Sequence, residues 1–255
     1  MKSHFFFWII IASLSASAQN SSRTIDSLLK ILKKGSHSEQ FERYIMLSDE
    51  YSNSDLNKAE YYSYKALNKA RLVKDDSFIA LSYNNIGNIH QYKSELDSAL
   101  FFHKKTLRLR QSIKDTIGLA DTYNNIGIVY DTKGQYPDAL KYYFKALNFY
   151  ERKGDISKQA MTTTNIGIVY KAQKEYNKAL YYYKRAYELY LKTQNEFGKT
   201  TSAGNLGSIL INFKQYQESL KYSEIARKGF KQLGYNRYEV YPISNIACAY
   251  DSLHQ

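Results

Sequence analysis

Residues 123–147 read YNNIGIVYDTKGQYPDALKYYFKAL, and the same text returns without gaps on both sides of them. It stands as YNNIGNIHQYKSELDSALFFHKKTL over 83–107, TTNIGIVYKAQKEYNKALYYYKRAY over 163–187 and AGNLGSILINFKQYQESLKYSEIAR over 203–227, each copy 40 residues after the last. An earlier copy, SDEYSNSDLNKAEYYSYKAL from Ser48, aligns if its turn is one residue shorter. A last copy, ISNIACAYDSL from Ile243, covers a first helix alone. A fixed period of this length marks stacked supersecondary units, each of which buries its apolar face against its neighbours.

The columns of the alignment have physical meanings. Gly87, Gly127, Gly167 and Gly207 lie inside helical patterns, where glycine costs about 1 kcal/mol against alanine. A cost repeated at fixed spacing implies two helices in close approach. Ala99, Ala139, Ala179 and Ser219 form a second small column, and Thr106, Ala146, Ala186 and Ala226 a third. The large residues expected opposite them include Tyr130, Tyr170, Leu140, Leu180 and Tyr143. Thr132-Lys133-Gly134-Gln135 reads as a polar turn, with Pro137 at the start of the next helix, where a missing N–H is harmless. Lys114-Asp115, Gly154-Asp155, Gln194-Asn195 and Gly234-Tyr235 mark turns between units. Each unit is thus helix A, a short turn, helix B and a longer turn.

The pattern resembles the tetratricopeptide repeat, whose signature sets Leu-Gly in helix A, an aromatic three residues later and two alanines seven apart in helix B. Ile126-Gly127, Tyr130, Ala139 and Ala146 match in register, and the likeness runs over about 38–253. Two departures stand out: the unit exceeds the family's usual length of about 34, and it lacks the usual closing proline. Six extra residues add roughly 9 Å of helix, which is similar to the longer repeats of kinesin light chain and cell-polarity adaptors. The resemblance implies an all-α, right-handed superhelical solenoid of antiparallel helix pairs. The units expected are about 38–75, 76–115, 116–155, 156–195 and 196–235, with an incomplete unit over 236–255. An amphipathic helix from Arg23 to Lys34, within a capping segment 19–37, carries Ile25, Leu28, Leu29 and Leu32 on one face. With Ser21 or Ser22 as its cap, it is placed to cover the open end of the stack. Pro242 predicts that the last helix kinks or starts there.

Residues 1–18 read as a signal peptide: Lys2, the apolar run Phe5 to Leu14, then Ser15-Ala16-Ser17-Ala18. The expected location is therefore periplasmic or extracellular. The apolar run is too short to span a bilayer, and no other stretch approaches that length, so no stable membrane insertion is expected after cleavage. The chain carries +12, and removal of the leader with Lys2 leaves +11. That charge favours acidic protein segments or anionic cell-envelope polymers as partners. Cys248 is the one cysteine, so an intramolecular disulfide is impossible; it reads as a small packing residue.

Stacked pairs expose a concave wall of A helices. The residue before Ile-Gly is asparagine in five successive units: Asn85, Asn125, Asn165, Asn205 and Asn245. The resemblance implies that such amides face the groove and bond a peptide backbone, since a carboxamide both donates and accepts. An equal alternative is that they brace adjacent helices. Asn84, Asn88, Gln91, Asn124, Asp131 and Lys171 are further groove candidates that vary between units. Basic and aromatic residues mix in helix B, as in Tyr181-Tyr182-Tyr183-Lys184, but the aromatics fall in repeat register and read as packing, so nucleic acid is not an expected partner. His37, His90, His103 and His254 lack metal-type spacing, and no phosphate loop or nucleophile elbow occurs, so neither metal, cofactor nor catalysis is expected. The reading is a non-catalytic protein-interaction scaffold that takes an extended peptide or protein. The alternative is an extracytoplasmic sensor module, similar to the periplasmic regions of histidine kinases and transcriptional regulators but without an output domain.

Overall fold

The computed structural model describes residues 23–253. Among them the regular elements are all helical. Helix α1 covers residues 23–31. It is followed by α2 (His37–Tyr51), α3 (Leu56–Val73), α4 (Asp76–Tyr92), α5 (Leu96–Ser112), α6 (Thr116–Thr132) and α7 (Tyr136–Lys153). Then come α8 (Ile156–Ala172), α9 (Tyr176–Leu191), α10 (Glu196–Ile211), α11 (Tyr216–Gln232), a 3₁₀ turn (Asn236–Glu239) and α12 (Val240–Leu253). The even helices from α2 are the A helices and the odd ones from α3 the B helices. The leader and the Ser21/Ser22 cap lie outside the described residues.

The helix ends follow from side chains in register. Asp75, Asp115, Asp155 and Asn195 recur every 40 residues, and each accepts a backbone N–H of the next A helix: from Phe78 at 3.1 Å, Gly118 at 2.9 Å, Lys158 at 3.0 Å and Gly198 at 2.8 Å. These are N-caps. The next member of the column is Tyr235, which has no acceptor in reach. There the chain runs through the 3₁₀ turn and α12 begins only at Val240, with Pro242 inside its first turn. The A–B turns close with a left-handed residue, at Ser94, Gly134, Lys174 and Lys214. The following N–H reaches back five residues, as in Glu95 to His90 at 2.8 Å and Glu175 to Tyr170 at 2.9 Å.

The chain divides into two compact units at Val129/Tyr130. Within each, every small column is buried: Ala99, Thr106, Ala139, Ala146, Ala179, Ala186 and Ala226 are fully enclosed. A methyl at Gly167 would stand 2.7 Å from the Tyr183 ring, and one at Gly87 would stand 2.7 Å from His103. The mid-helix glycines are therefore the space into which the residue sixteen places on is packed. A ring stack joins helix A to helix B in three of the four gapless copies, His90–Phe102 at 5.3 Å, Tyr130–Tyr142 at 5.6 Å and Tyr170–Tyr182 at 5.4 Å, all nearly parallel; the fourth has Leu210 in that column. Those partners are twelve apart. In the first copy Tyr51 meets Tyr62, eleven apart, at 5.6 Å, which is the one-residue-shorter turn the alignment requires.

Three expectations are corrected. Helix α1 ends at residue 31 rather than Lys34, and it is tied to α2 by Arg43, which donates to the Ile31 carbonyl at 3.1 Å. Leu28 is buried, yet Leu29 is 40% exposed, so the helix buries a narrower face than its periodicity suggests. Cys248 is exposed on α12, because among the described residues no B helix covers that face.

Candidate functional site

Within each unit neighbouring A helices touch: α2 with α4, α8 with α10 and α10 with α12. The backbones of consecutive B helices, α3 and α5 or α9 and α11, do not come close, and those helices meet through long side chains alone. The A face is therefore the concave side of each unit, and it carries the asparagine column.

In the first unit the amides point sideways. Asn85 Nδ2 donates to Asp49 Oδ1 at 3.2 Å, and Asn125 Nδ2 donates to Asn84 Oδ1 at 3.1 Å and Asn88 Oδ1 at 3.2 Å. Burial pushes the Asp49 carboxyl above its usual range, and the Asn85 bond partly offsets this. The sequence explains the pairing. Asp49 and Asn88 occupy one repeat column, three residues after the asparagine position, and both present an oxygen to the next A helix. Gln91 is half-buried on α4, and Asn124 is buried.

In the second unit that column holds Ile168 and then Ser208. Asn165 and Asn205, both half-buried, have no side-chain hydrogen bond among the described residues. Asn245 Nδ2 lies 3.5 Å from the Gly204 carbonyl, a marginal bond. Lys171, half-buried on α8, donates to Ser208 Oγ at 2.7 Å, and burial holds its ammonium below the usual lysine range. Among the described residues it has no carboxylate partner. Asp131 is half-buried too, with its carboxyl pushed up by burial.

Lys171, Asn205 and Asn245 open into one pocket of about 570 Å³ between α8, α10, α11 and the start of α12. Its apolar wall is Phe197, Phe230 and Tyr238, which pack ring against ring, with Phe230 and Tyr238 stacked at 5.6 Å. An amide that can both donate and accept, a cation without an anion, and three aromatic rings suit an acidic group beside an apolar side chain. The structure brings together three of the residues singled out in the sequence. It adds Ser208 and the aromatic wall, which sequence reasoning missed. The signal for Ser208 was present, as the member of the Asp49–Asn88 column that follows two isoleucines. The wall was not legible, since Phe197 replaces Ser157 and Ile117 of the earlier copies and Tyr238 comes from the irregular last copy. Among the described residues no three His, Cys, Asp or Glu side chains stand together as metal ligands.

The model of the tetratricopeptide repeat matches residues 78–152 and again 118–192, two windows offset by one repeat. No curated protein matches the chain. Among solved structures, the chain is similar to BtubC (BKLC) from P. vanneervenii, with 17% identity and a TM-score of 0.71, over 84% of this chain and 90% of that one. It is also similar to a signal transduction ATPase with a tetratricopeptide repeat sensor from Pyrococcus horikoshii, with 19% identity and a TM-score of 0.71, over 93% of this chain and 40% of that one. A third is NprR in complex with its cognate peptide NprX, with 20% identity and a TM-score of 0.67, over 86% of this chain and 64% of that one. At these identities the likeness concerns the fold. Residues 78–192, in register with the helix pairs from α4 to α9, match the tetratricopeptide-repeat family.

Proposed function

We propose that this protein is a non-catalytic scaffold that binds an extended peptide or protein segment on the A face of its second unit. Asn165 and Asn205 bond the ligand backbone, Lys171 takes an acidic group, and the Phe197–Phe230–Tyr238 wall takes an apolar side chain. The observation that carries this reading is the unpaired Asn205 carboxamide beside a half-buried lysine that lacks an anion. NprR, solved with a bound peptide, supports the ligand class. We further propose export, on the strength of the leader pattern from Lys2 to Ala18.

Selection from a random-peptide display library on the full chain tests the reading. Sequences with Asp or Glu beside an aromatic or aliphatic residue are expected to enrich, and Lys171→Met is expected to abolish the acidic preference. Absence of enrichment, or enrichment unchanged by that substitution, overturns it.

A second reading, that the stack is the sensor part of a signalling protein, is favoured by one neighbour that carries such repeats as its sensor and of which this chain spans 40%. A membrane helix and output domain found in frame downstream in the genome would support it.

A further inference from the structure

The excess positive charge is not spread evenly over the helices. In the first unit α3 carries Lys58, Lys65, Lys69 and Arg71 against Glu60, and α5 carries Lys104, Lys105, Arg108 and the buried Arg110 against Asp97. Each is +3. The A helices α2 and α4 of the same unit are −3 and −1. The basic layer is therefore the outer one, opposite the amide face, and its one acid on α3, Glu60, is occupied by Lys93.

That outer layer also exposes apolar groups. Tyr61 is 55% exposed, Phe101 53% and Leu72 60%. Tyr61, Lys65, Asn68 and Leu72 follow one another at helical spacing on one stripe of α3, and Phe101, Lys105 and Arg108 do the same on α5. Beside these stripes Tyr64 of α3 meets Phe102 of α5 edge-on at 6.3 Å, so the two helices contribute to one outer face.

The ring geometry discriminates between anionic partners. Lys105 Nζ sits 4.4 Å from the centre of the Phe101 ring and Lys65 Nζ 5.1 Å from that of Tyr61. An ammonium thus takes one face of each ring, which makes them poorer platforms for stacking nucleic-acid bases. What stays exposed is the rest of both rings and the Leu72 side chain, flanked by long basic side chains. That combination suits the boundary between anionic headgroups and acyl chains.

We infer that the outer face of α3 and α5 adsorbs to an anionic lipid bilayer, with Tyr61, Phe101 and Leu72 at the headgroup boundary and Lys65, Lys104, Lys105 and Arg108 on the lipid charges. No described helix is long and apolar enough to cross a membrane, so the contact is peripheral. It leaves the amide face turned away from the bilayer and does not depend on the peptide reading.

The test uses the full chain, whose apolar leader adds the same background to every sample. An environment-sensitive fluorophore is placed at Asn68→Cys in a Cys248→Ser background, and in a second sample at the native Cys248. With vesicles of equal parts phosphatidylglycerol and phosphatidylcholine, emission from position 68 shifts to the blue and emission from Cys248 does not. With phosphatidylcholine alone neither shifts, and high salt reverses the effect. Combined Lys65→Glu, Lys104→Glu and Lys105→Glu weakens the response more than about tenfold at unchanged melting temperature. If that variant melts early, the Lys→Gln set replaces it, with a smaller loss expected. Three results overturn the inference: no shift at position 68 on the anionic vesicles, equal shifts at both positions, or a shift with heparin or single-stranded DNA and none with vesicles.

Discussion

The repeat of α4 and α5 and the repeat of α8 and α9 share one register, but they are filled differently. The first carries His103 and Arg110 where the second carries Tyr183 and Tyr190. Arg110 Nη1 bonds the Gly118 carbonyl and Thr122 Oγ1, and Gln159 and the rings do the corresponding work later. On the A face the first unit ties Asn85 and Asn125 to neighbouring oxygens, whereas the second leaves Asn165 and Asn205 free. One unit spends its polar groups on holding helices together. In the other the Asn165 and Asn205 amides take no part in bracing and stay available to a ligand.

The largest way to sharpen this contrast is His103. It is fully buried and neither ring nitrogen has a hydrogen-bond partner. Burial, with a smaller contribution from the Arg110 charge, lowers its pKa from 6.5 to about 4. The folded state thus keeps the ring neutral while the unfolded chain protonates it. The associated stability is complete above pH 6.5 and is lost as pH falls towards 4. By about pH 4.5 the loss is about 2–3 kcal/mol. His103→Tyr, which restores the residue of the later copies, removes this loss at acid pH. Urea unfolding at neutral and acid pH checks it.

A slightly smaller effect tests the packing common to both repeats. Gly167→Ala and Gly87→Ala each press a methyl to 2.7 Å from a buried ring and are expected to cost about 2 kcal/mol. Gly204→Ala meets only the Ala226 methyl at 3.5 Å, so helix propensity dominates and it gains about 0.5–1 kcal/mol. Calorimetry of the three variants would break the account if their order were reversed.

Smaller again is the left-handed turn. Lys174 has φ of 61° where the preceding copy has Gly134. Lys174→Gly is expected to stabilise by about 0.5 kcal/mol, measured by thermal melting.

The period, the helix pairs and the three small columns were legible because each copy repeats the same packing problem. The turn columns were legible as turns, but their role as caps emerged only with the bonds from Asp75 to Asn195. Whether an asparagine braces or stays free was not legible from that residue, because the answer lies in a different column: Asp49 and Asn88 accept, and Ile168 cannot. The pocket borders the place where Tyr235 fails as a cap and a 3₁₀ turn replaces the start of the A helix, setting Tyr238 against Phe230. That is a departure from the repeat, and a repeat-based reading has no means of anticipating it.

The central claim is that the braced amides stabilise and the free ones recognise. It is tested most directly by Asn125→Ala and Asn205→Ala, measured for melting temperature and for affinity towards a display-selected peptide. Loss of two part-buried bonds at Asn125 is expected to cost about 1 kcal/mol of stability with affinity unchanged. Asn205→Ala is expected to leave melting unchanged and weaken the peptide about tenfold. Early melting of Asn205→Ala with undiminished affinity would contradict the account.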